Sequence, residues 1–240
     1  MRAGMRRRDR DVGNLGYKSG PTRSVCGPVG RYRYSRKRSI PLPDPAANRP
    51  INTRLGSKVT MIEKINVRQA ISSDIPRLIS MDHGFSTDHV WQLSYRKQPS
   101  EIGVTFREVR LPRPMQAVYP RDPKRLADEW THLQALLLAE VEEQPAGYLA
   151  LSEGPAEGSA WITDVVVDLR FRRQGIASRL LVAGKEWCRA RERRLLFMEM
   201  QTKNYPAICL AKRTGFLYAG YSDLYYPDQD IALFFAVELG

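Results

Sequence analysis

ITDVVVDLRFRRQGIA (residues 162–177) is the stretch that decides the fold. It begins with β-branched residues, which are typical of a buried strand, and then reaches a glycine followed by apolar residues at helical spacing. This pattern predicts a strand, a loop and a helix. Gly175 and Ala177 are small enough for an anion to approach the first turn of the helix, and Arg172 and Arg173 add positive charge there. Small residues also suit close packing of a helix on a strand, so the pattern alone leaves both explanations open.

The surrounding segments predict a mixed α/β sheet. A strand at 195–200 would complete a β-α-β unit with two parallel strands and a right-handed crossover. Two apolar runs on either side of 143–145 predict an antiparallel hairpin, and residues 204–213 predict a helix that ends at a Thr-Gly pair. Two final strands are predicted at 216–226 and 230–239.

The first half of the body is less regular. The elements predicted there are a strand from Ile62, a short helix at 75–81, a second helix at 86–97, a strand at 102–111 and a short polar helix near 124–131. Prolines predict an irregular segment within 98–123. We expect residues 61–240 to form one domain.

Residues 1–60 carry the whole net charge of the chain. They hold 15 Lys or Arg and three Asp, whereas residues 61–240 hold 23 residues of each sign. Arg clusters with scattered Gly and Pro and little aliphatic periodicity predict a disordered basic N-terminal extension, because such a segment buries too little apolar surface. A non-functional extension upstream of Met61, a transit-type tail, a tail that contacts nucleic acid and a structural role remain open.

Cysteine, histidine and hydropathy patterns exclude several classes of protein. Cys26, Cys188 and Cys209 are odd in number and lack metal-ligand spacing, which excludes a disulfide scaffold and favours a reducing compartment, the cytoplasm. His83 and His89 do not form a helical ligand pair, so we expect no metal. No apolar run approaches the roughly 20 residues that cross a bilayer, so we expect a soluble protein.

The loop at Gly175 resembles the acetyl-CoA motif of the GNAT superfamily of N-acetyltransferases, Arg/Gln-x-x-Gly-x-Gly/Ala. Residues 172–177 match it in the expected place, between a strand and a helix. The second block of the family is Asn-x-x-Ala followed by a helix and Gly-Phe. Its matches are Asn204, Ala207, Gly215 and Phe216. The phrases VVVDLRFRRQGIA and EMQTKNYPA also resemble the streptothricin-acetyltransferase branch. The resemblance is close over 160–216 and looser over 62–240.

This resemblance implies a mixed sheet, splayed at its centre and flanked by helices, that binds acetyl-CoA in the splay. Backbone groups of the strand would bind pantetheine, the loop would bind the pyrophosphate, and an asparagine would contact the pantetheine or thioester end. The residues concerned are Val165, Val166 and Val167 in the strand, Arg172, Arg173, Gln174, Gly175, Ile176, Ala177 and Ser178 in the loop, and Asn204. A buried strand also explains the valines, and both explanations hold together because the backbone would bind.

Transfer to an amine requires a group that accepts its proton. Glu199 and Asp164 flank the predicted splay and are the candidate catalytic residues, with Glu199 preferred as the base. A structural hydrogen bond for Glu199 and a water-facing strand end for Asp164 remain alternatives. Ala211 replaces the tyrosine that family members use to reprotonate the thiolate. Three tyrosines are candidate substitutes or core residues: Tyr205, Tyr225 and Tyr226.

The implied function is acetyl-CoA-dependent transfer, by direct attack in a ternary complex, to an amine of a small molecule or a protein. We expect the acceptor pocket between the helix at 86–97, the segment 98–123 and the last hairpin. Its candidate residues, each also explained by the surface or the core, are Asp82, Asp88, Asp223, Asp228, Trp91, Tyr95 and Trp130. Ala211 leaves open a non-catalytic acyl-CoA-binding regulatory module, and the basic tail leaves open a nucleic-acid-associated protein. A homodimer is also left open.

Overall fold

The structure, a computed structural model, describes residues 65–240. The strands of this part are β1 (Ile65–Gln69), β2 (Phe85–Gln98), β3 (Glu101–Ala117), β4 (Ala135–Val141), β5 (Gln144–Glu153), β6 (Ser159–Val167), β7 (Leu195–Gln201), β8 (Leu217–Ser222) and β9 (Ala232–Glu238). The α-helices are α1 (Ile75–Ile79), α2 (Leu126–Glu129), α3 (Ile176–Arg189) and α4 (Tyr205–Arg213). The predictions for residues 1–60, and Cys26, lie outside the described residues.

Seven strands form one sheet in the order β1-β4-β5-β6-β7-β9-β8. Every neighbouring pair is antiparallel except β6 and β7, which are parallel and are connected through α3. The predicted β-α-β unit, the hairpin β4–β5 and the mixed α/β fold class are therefore confirmed. No helix between Ile65 and Gly240 is both long enough and apolar enough to cross a membrane.

The sheet carries a core on each face. Helices α3 and α4 cover one face, where Leu180 and Ile208 are fully buried with Leu149 of β5. A β-carbon added to Gly184 of α3 would lie 3.4 Å from the Leu149 side chain, so this helix lies close to the sheet. On the other face, α1 and α2 form a smaller core with β4 and β5, in which Leu78 is fully buried.

Strands β2 and β3 form a separate two-stranded sheet, so the predicted helix at 86–97 is wrong. Trp91, Leu93 and Tyr95 alternate with polar residues, and this period of two is that of a strand. The base of the hairpin packs on the large sheet: the backbone N–H of Trp91 donates to Thr202 O at 2.9 Å, and its ring lies 6.5 Å from that of Phe235. The predicted strand at 102–111 is confirmed and extends into the segment expected to be irregular.

Strand β6 contains one more residue than β5 opposite it. Ala150 pairs with Asp164 and Leu151 pairs with Ile162, so Thr163 is the extra residue of a β-bulge. A bulge bends its strand and increases the local twist. The parallel pairing of β6 with β7 ends at Ile162, at this same point. Beyond it, β6 pairs only with β5, and the predicted central splay of the sheet is confirmed.

Candidate active site

A cavity of about 1,020 Å³ lies where β6 separates from β7. Its lining includes every residue for which the sequence predicts cofactor binding: Val165, Val166, Val167, Arg172, Arg173, Gln174, Gly175, Ile176, Ala177, Ser178 and Asn204. We call it the main cavity. The bulge that ends the β6–β7 pairing therefore opens the space that these residues surround.

The loop at the start of α3 has the conformation that anion binding requires. Gly175 is the N-cap of α3, at φ 91°, a left-handed conformation that glycine adopts without strain. The N–H groups of the first helical turn lack partners within a helix and favour an anion. Arg172 fixes the loop, because its Nε donates to Val167 O at 2.9 Å and its Nη2 donates to Asp82 O at 2.6 Å.

Two arginines donate hydrogen bonds to backbone carbonyls at the unpaired edge of β6. Arg121 Nη1 donates to Thr163 O at 3.0 Å, and Arg172 donates to Val167 O. The main chain of Val165 lies between these two carbonyls, without a partner strand on the β7 side. The edge therefore offers backbone groups to an extended ligand in the main cavity.

A second cavity, of about 40 Å³, adjoins the main cavity and contains both candidate carboxylates, Asp164 and Glu199. We call it the small cavity. It is large enough to hold a water molecule. Five residues line both cavities, and we call them the passage: Tyr119, Val165, Met198, Asn204 and Ala207. Asn204 also caps α4, since its Oδ1 accepts a hydrogen bond from the N–H of Ala207 at 3.2 Å.

Both carboxylates lie on the face of the sheet opposite α3 and α4. Asp164 pairs with Ala150, which belongs to the core under α1. Met198 and Met200 belong to the core under α3 and α4, so alternation along β7 directs Glu199 to the other face. The two acids that the sequence predicted to flank the splay are thus brought together.

The Glu199 side chain is fully buried and ionically paired with Arg121. Trp161 Nε1 donates to Glu199 Oε2 at 2.8 Å, and the hydroxyl of Tyr225 donates to the same oxygen. A buried carboxylate requires such partners, because an unpaired charge is costly away from water. These contacts hold the group in one orientation at the wall of the small cavity.

Asp164 is 4% exposed and has its own set of donors. Arg125 Nη2 donates to Oδ2 at 2.6 Å, Thr163 Oγ1 donates to the same oxygen at 3.0 Å, and the hydroxyl of Tyr119 donates to Oδ1. No sequence pattern predicts a role for Tyr119, Arg121 or Arg125. They lie in the segment after β3, about 40 residues before Asp164 and about 80 before Glu199, and no local pattern connects this segment with the carboxylates.

The residues predicted for an acceptor pocket do not come together. Asp82, Asp88, Asp223 and Asp228 line neither the main nor the small cavity, and Trp91, Tyr95 and Trp130 do not line them either. Among the candidate tyrosines, Tyr226 lines the small cavity and Tyr225 contacts Glu199. Tyr205 instead donates to Glu108 Oε1 at 2.9 Å. Ala211 is fully buried in the core. Within residues 65–240, no three His, Cys, Asp or Glu side chains are grouped to hold a metal.

His83 lines the main cavity and should make stability depend on pH. Its Nδ1 lies 2.7 Å from Met81 O and its Nε2 lies 2.9 Å from the Tyr148 hydroxyl. Burial lowers its pKa; the charges of Asp164 and Asp82 oppose this shift and Arg172 adds to it. The unfolded chain therefore binds a proton that the folded chain does not, and stability is lost as the pH falls below about 6.5, the unfolded pKa.

We expect the wild type to lose free energy of unfolding more steeply between pH 7 and pH 5 than His83→Gln does. Denaturant unfolding at several pH values measures the difference, which for one proton is at most about 1.4 kcal/mol per pH unit. The control is His132→Gln, at an exposed histidine. Its free energy of unfolding should change with pH as that of the wild type does. A His83→Gln curve parallel to the wild-type curve would show that His83 does not titrate differently in the folded state.

Comparison with known proteins agrees with this architecture. Residues 105–216 match the model of the acetyltransferase (GNAT) family. No curated protein sequence matches the chain significantly.

Three solved structures share the fold. Nourseothricin acetyltransferase is 24% identical, with a TM-score of 0.63 over 74% of this chain and 99% of that one. A candidate streptothricin acetyltransferase from Bacillus anthracis str. Ames, in complex with acetyl coenzyme A, is 20% identical, with a TM-score of 0.58 over 72% and 98%. The ribosomal-protein-S18-alanine N-acetyltransferase from Escherichia coli is 17% identical, with a TM-score of 0.53 over 73% and 94%. The predicted resemblance is confirmed: residues 105–216 match the acetyltransferase (GNAT) family, and the described part of the chain shares the fold of these acetyltransferases.

Proposed function

We propose that the protein transfers the acetyl group of acetyl-CoA to a primary amine by direct attack in a ternary complex. The observation that carries this proposal is the passage. A cavity lined by all the predicted cofactor residues shares these five residues with a small cavity that is lined by two oriented carboxylates. Acetyl-CoA in the main cavity would place its thioester at the passage. The acceptor amine would approach the thioester from the side of the small cavity.

The main cavity fits acetyl-CoA at both ends. Gly175 and the first turn of α3 would bind the pyrophosphate, with Arg173 as a nearby cation, while Arg172 holds the loop in shape. The main chain of Val165 would pair with the pantetheine amides, and Asn204 would lie at the thioester. The carbonyl carbon would then face the small cavity.

Glu199 is the proposed base that removes the first proton of the acceptor. A primary ammonium with a pKa near 10.4 needs about 5 kcal/mol to become neutral at pH 7, so a nearby proton acceptor speeds its attack. The small cavity can hold one water between the amine and the carboxylate. Arg121, Trp161 and Tyr225 fix the carboxylate for this task.

Direct attack is favoured over a covalent acyl-enzyme because neither described cysteine suits an acyl carrier. Cys188 is fully buried, and burial raises the pKa of its thiol to about 11. Cys209 lines neither the main nor the small cavity. No disulfide joins these two cysteines, the only ones between Ile65 and Gly240, and we propose a location in the cytoplasm.

The proposed acceptor is a primary amine of a small molecule or of a protein. Two of the structural relatives are named for nourseothricin and streptothricin, and one for the alanine of a ribosomal protein. These names define the first compounds to test. Asp164 and Glu199 are each paired with an arginine, so they leave little net negative charge to attract a cationic acceptor.

Ala211 favours a second candidate, a module that binds acyl-CoA without transferring it. The position that carries a tyrosine in the resembled family is a fully buried alanine here, so that route for returning a proton to the thiolate is absent at this residue. A CoA thiol has a pKa near 8.5, so its departure needs little assistance and transfer remains feasible.

One experiment separates the two candidates. The protein is incubated with acetyl-CoA and a panel of amines that includes streptothricin, lysine, a polyamine and peptides with alanine at the amino terminus, and thiol release is followed. We expect turnover with at least one amine, confirmed by the mass of the acetylated product. Calorimetric binding of acetyl-CoA without turnover of any amine would instead establish the binding module.

A further inference from the structure

The passage contains one titratable side chain, that of Tyr119, among its five described residues. The other four are Val165, Met198, Asn204 and Ala207. A group in the passage contacts both the large space proposed for the thioester and the small space proposed for the amine. Tyr119 is thus placed where both reacting atoms, nitrogen and sulfur, would come within reach.

The hydroxyl of Tyr119 is the first member of a chain of hydrogen bonds. It donates to Asp164 Oδ1, and Asp164 is held in turn by Arg125 Nη2 at 2.6 Å and Thr163 Oγ1 at 3.0 Å. Burial and the charge of Asp164 raise the pKa of Tyr119 well above 10, so the residue keeps its proton throughout the neutral range. The phenol oxygen retains a lone pair that can accept a second hydrogen bond.

From this geometry we propose that Tyr119 and Asp164 form a proton relay that carries the proton of the attacking nitrogen to the departing sulfur. The proposal rests on the proposed acetyl transfer, and it supplies the proton that the absent tyrosine at position 211 does not return. Tyr119 is the catalytic residue, because it would touch the reacting atoms, and Asp164 acts through it.

The relay balances without any other reactant. The neutral amine forms a C–N bond with the thioester carbon and the C=O π bond breaks, which leaves one extra proton and a positive charge on nitrogen and a negative charge on oxygen. That proton moves to the Tyr119 oxygen while the Tyr119 hydroxyl proton moves to Asp164. The C–S bond then breaks, the proton returns from Asp164 to Tyr119, and the Tyr119 proton passes to sulfur. The products are an amide and a free thiol, and both side chains regain their starting states.

Other candidate groups are less well placed for this transfer. Glu199 lines the small cavity only, so it can meet the amine but not the sulfur in the main cavity. Tyr225 lines neither cavity and donates to Glu199, while Tyr226 lines the small cavity alone. Glu199 therefore accepts the proton that the ammonium loses before the attack. Asp164, through Tyr119, accepts the proton that nitrogen loses after the attack.

The test is Tyr119→Phe, which removes the hydroxyl and keeps the ring. With acetyl-CoA and the best amine of the panel, we expect kcat to fall on the order of 10²-fold, as for loss of a general acid–base group, while the KM for acetyl-CoA stays within about threefold. The variant should also gain a rate that rises with buffer concentration, because its proton must then leave and return through solvent.

Tyr148→Phe is the matched control. Tyr148 is also a buried tyrosine with a hydrogen-bonded hydroxyl, 2.9 Å from His83 Nε2, but it lines neither cavity. It should keep kcat within about threefold of the wild type and show no buffer dependence. A Tyr119→Phe enzyme as fast as Tyr148→Phe would overturn the relay and leave the proposed function intact. A wild type that binds acetyl-CoA and acetylates no amine would overturn both.

Discussion

Replacement of Gly175 by valine should lower the affinity for acetyl-CoA on the order of 10³-fold, since two charge-assisted hydrogen bonds are worth about 3–6 kcal/mol together. Gly175 lies at φ 91°, where a β-branched residue is strained, so the loop must move to relieve it. Movement turns the first-turn N–H groups of α3 away from the pyrophosphate. Isothermal titration calorimetry with acetyl-CoA measures the loss.

Gly158→Val is the control for backbone strain. Gly158 lies at φ 71° in the turn before β6, nothing lies within 4 Å of an added β-carbon, and the residue lines neither cavity. It should lose stability to a similar degree and bind acetyl-CoA normally. If Gly175→Val also bound acetyl-CoA with unchanged affinity, the loop would not be the pyrophosphate site, and both CoA-based functions would be rejected.

Replacement of Glu199 by glutamine should lower kcat on the order of 10³-fold while acetyl-CoA affinity is retained, since general-base catalysis contributes about 10²–10⁴-fold. The amide has nearly the shape of the carboxylate but cannot accept the proton of the ammonium. It also leaves Arg121 without its charge partner, and breaking a buried ion pair typically costs about 3–5 kcal/mol. Acetyl-CoA binding therefore serves as the check that the variant is folded.

Glu140→Gln controls for the loss of an ion pair. Glu140 is mostly buried and pairs with Arg68 at 2.7 Å, between β4 and β1 and outside both cavities. This variant should lose stability and keep kcat. Equal turnover by the two variants would assign Glu199 a structural role and leave the first proton to solvent.

The elements nearest the loop could be predicted from the sequence because their local signals agree. The β-branched run of β6, the glycine at 175 and the helical spacing of α3 all favour the same strand, loop and helix, and each element is about as long as its pattern. Strand β2 was predicted wrongly as a helix over 86–97. Its alternation at Trp91, Leu93 and Tyr95 is present in the sequence, but it competes with apolar residues at helical spacing.

The candidate site could be predicted only where it is contiguous in sequence. The residues of the strand and loop line the main cavity together, as expected. The partners of the carboxylates, Tyr119, Arg121 and Arg125, are distant in sequence and follow a strand that extends beyond its predicted end at residue 111. A proline-bounded segment has no periodicity from which side-chain direction can be deduced, so tertiary packing alone brings these residues to the site.

The bulge at Thr163 makes the length of β6 as important as its composition. A regular strand with the same residues would place Asp164 on the face of Ile162, which is the side of the sheet occupied by α3 and α4. The hairpin turn between Gln98 and Glu101 is exposed and remote from both cavities, so extra residues there would leave the directions of the carboxylates unchanged. Homologous chains should therefore vary in length at the tip of this hairpin and keep a fixed count of residues along β6.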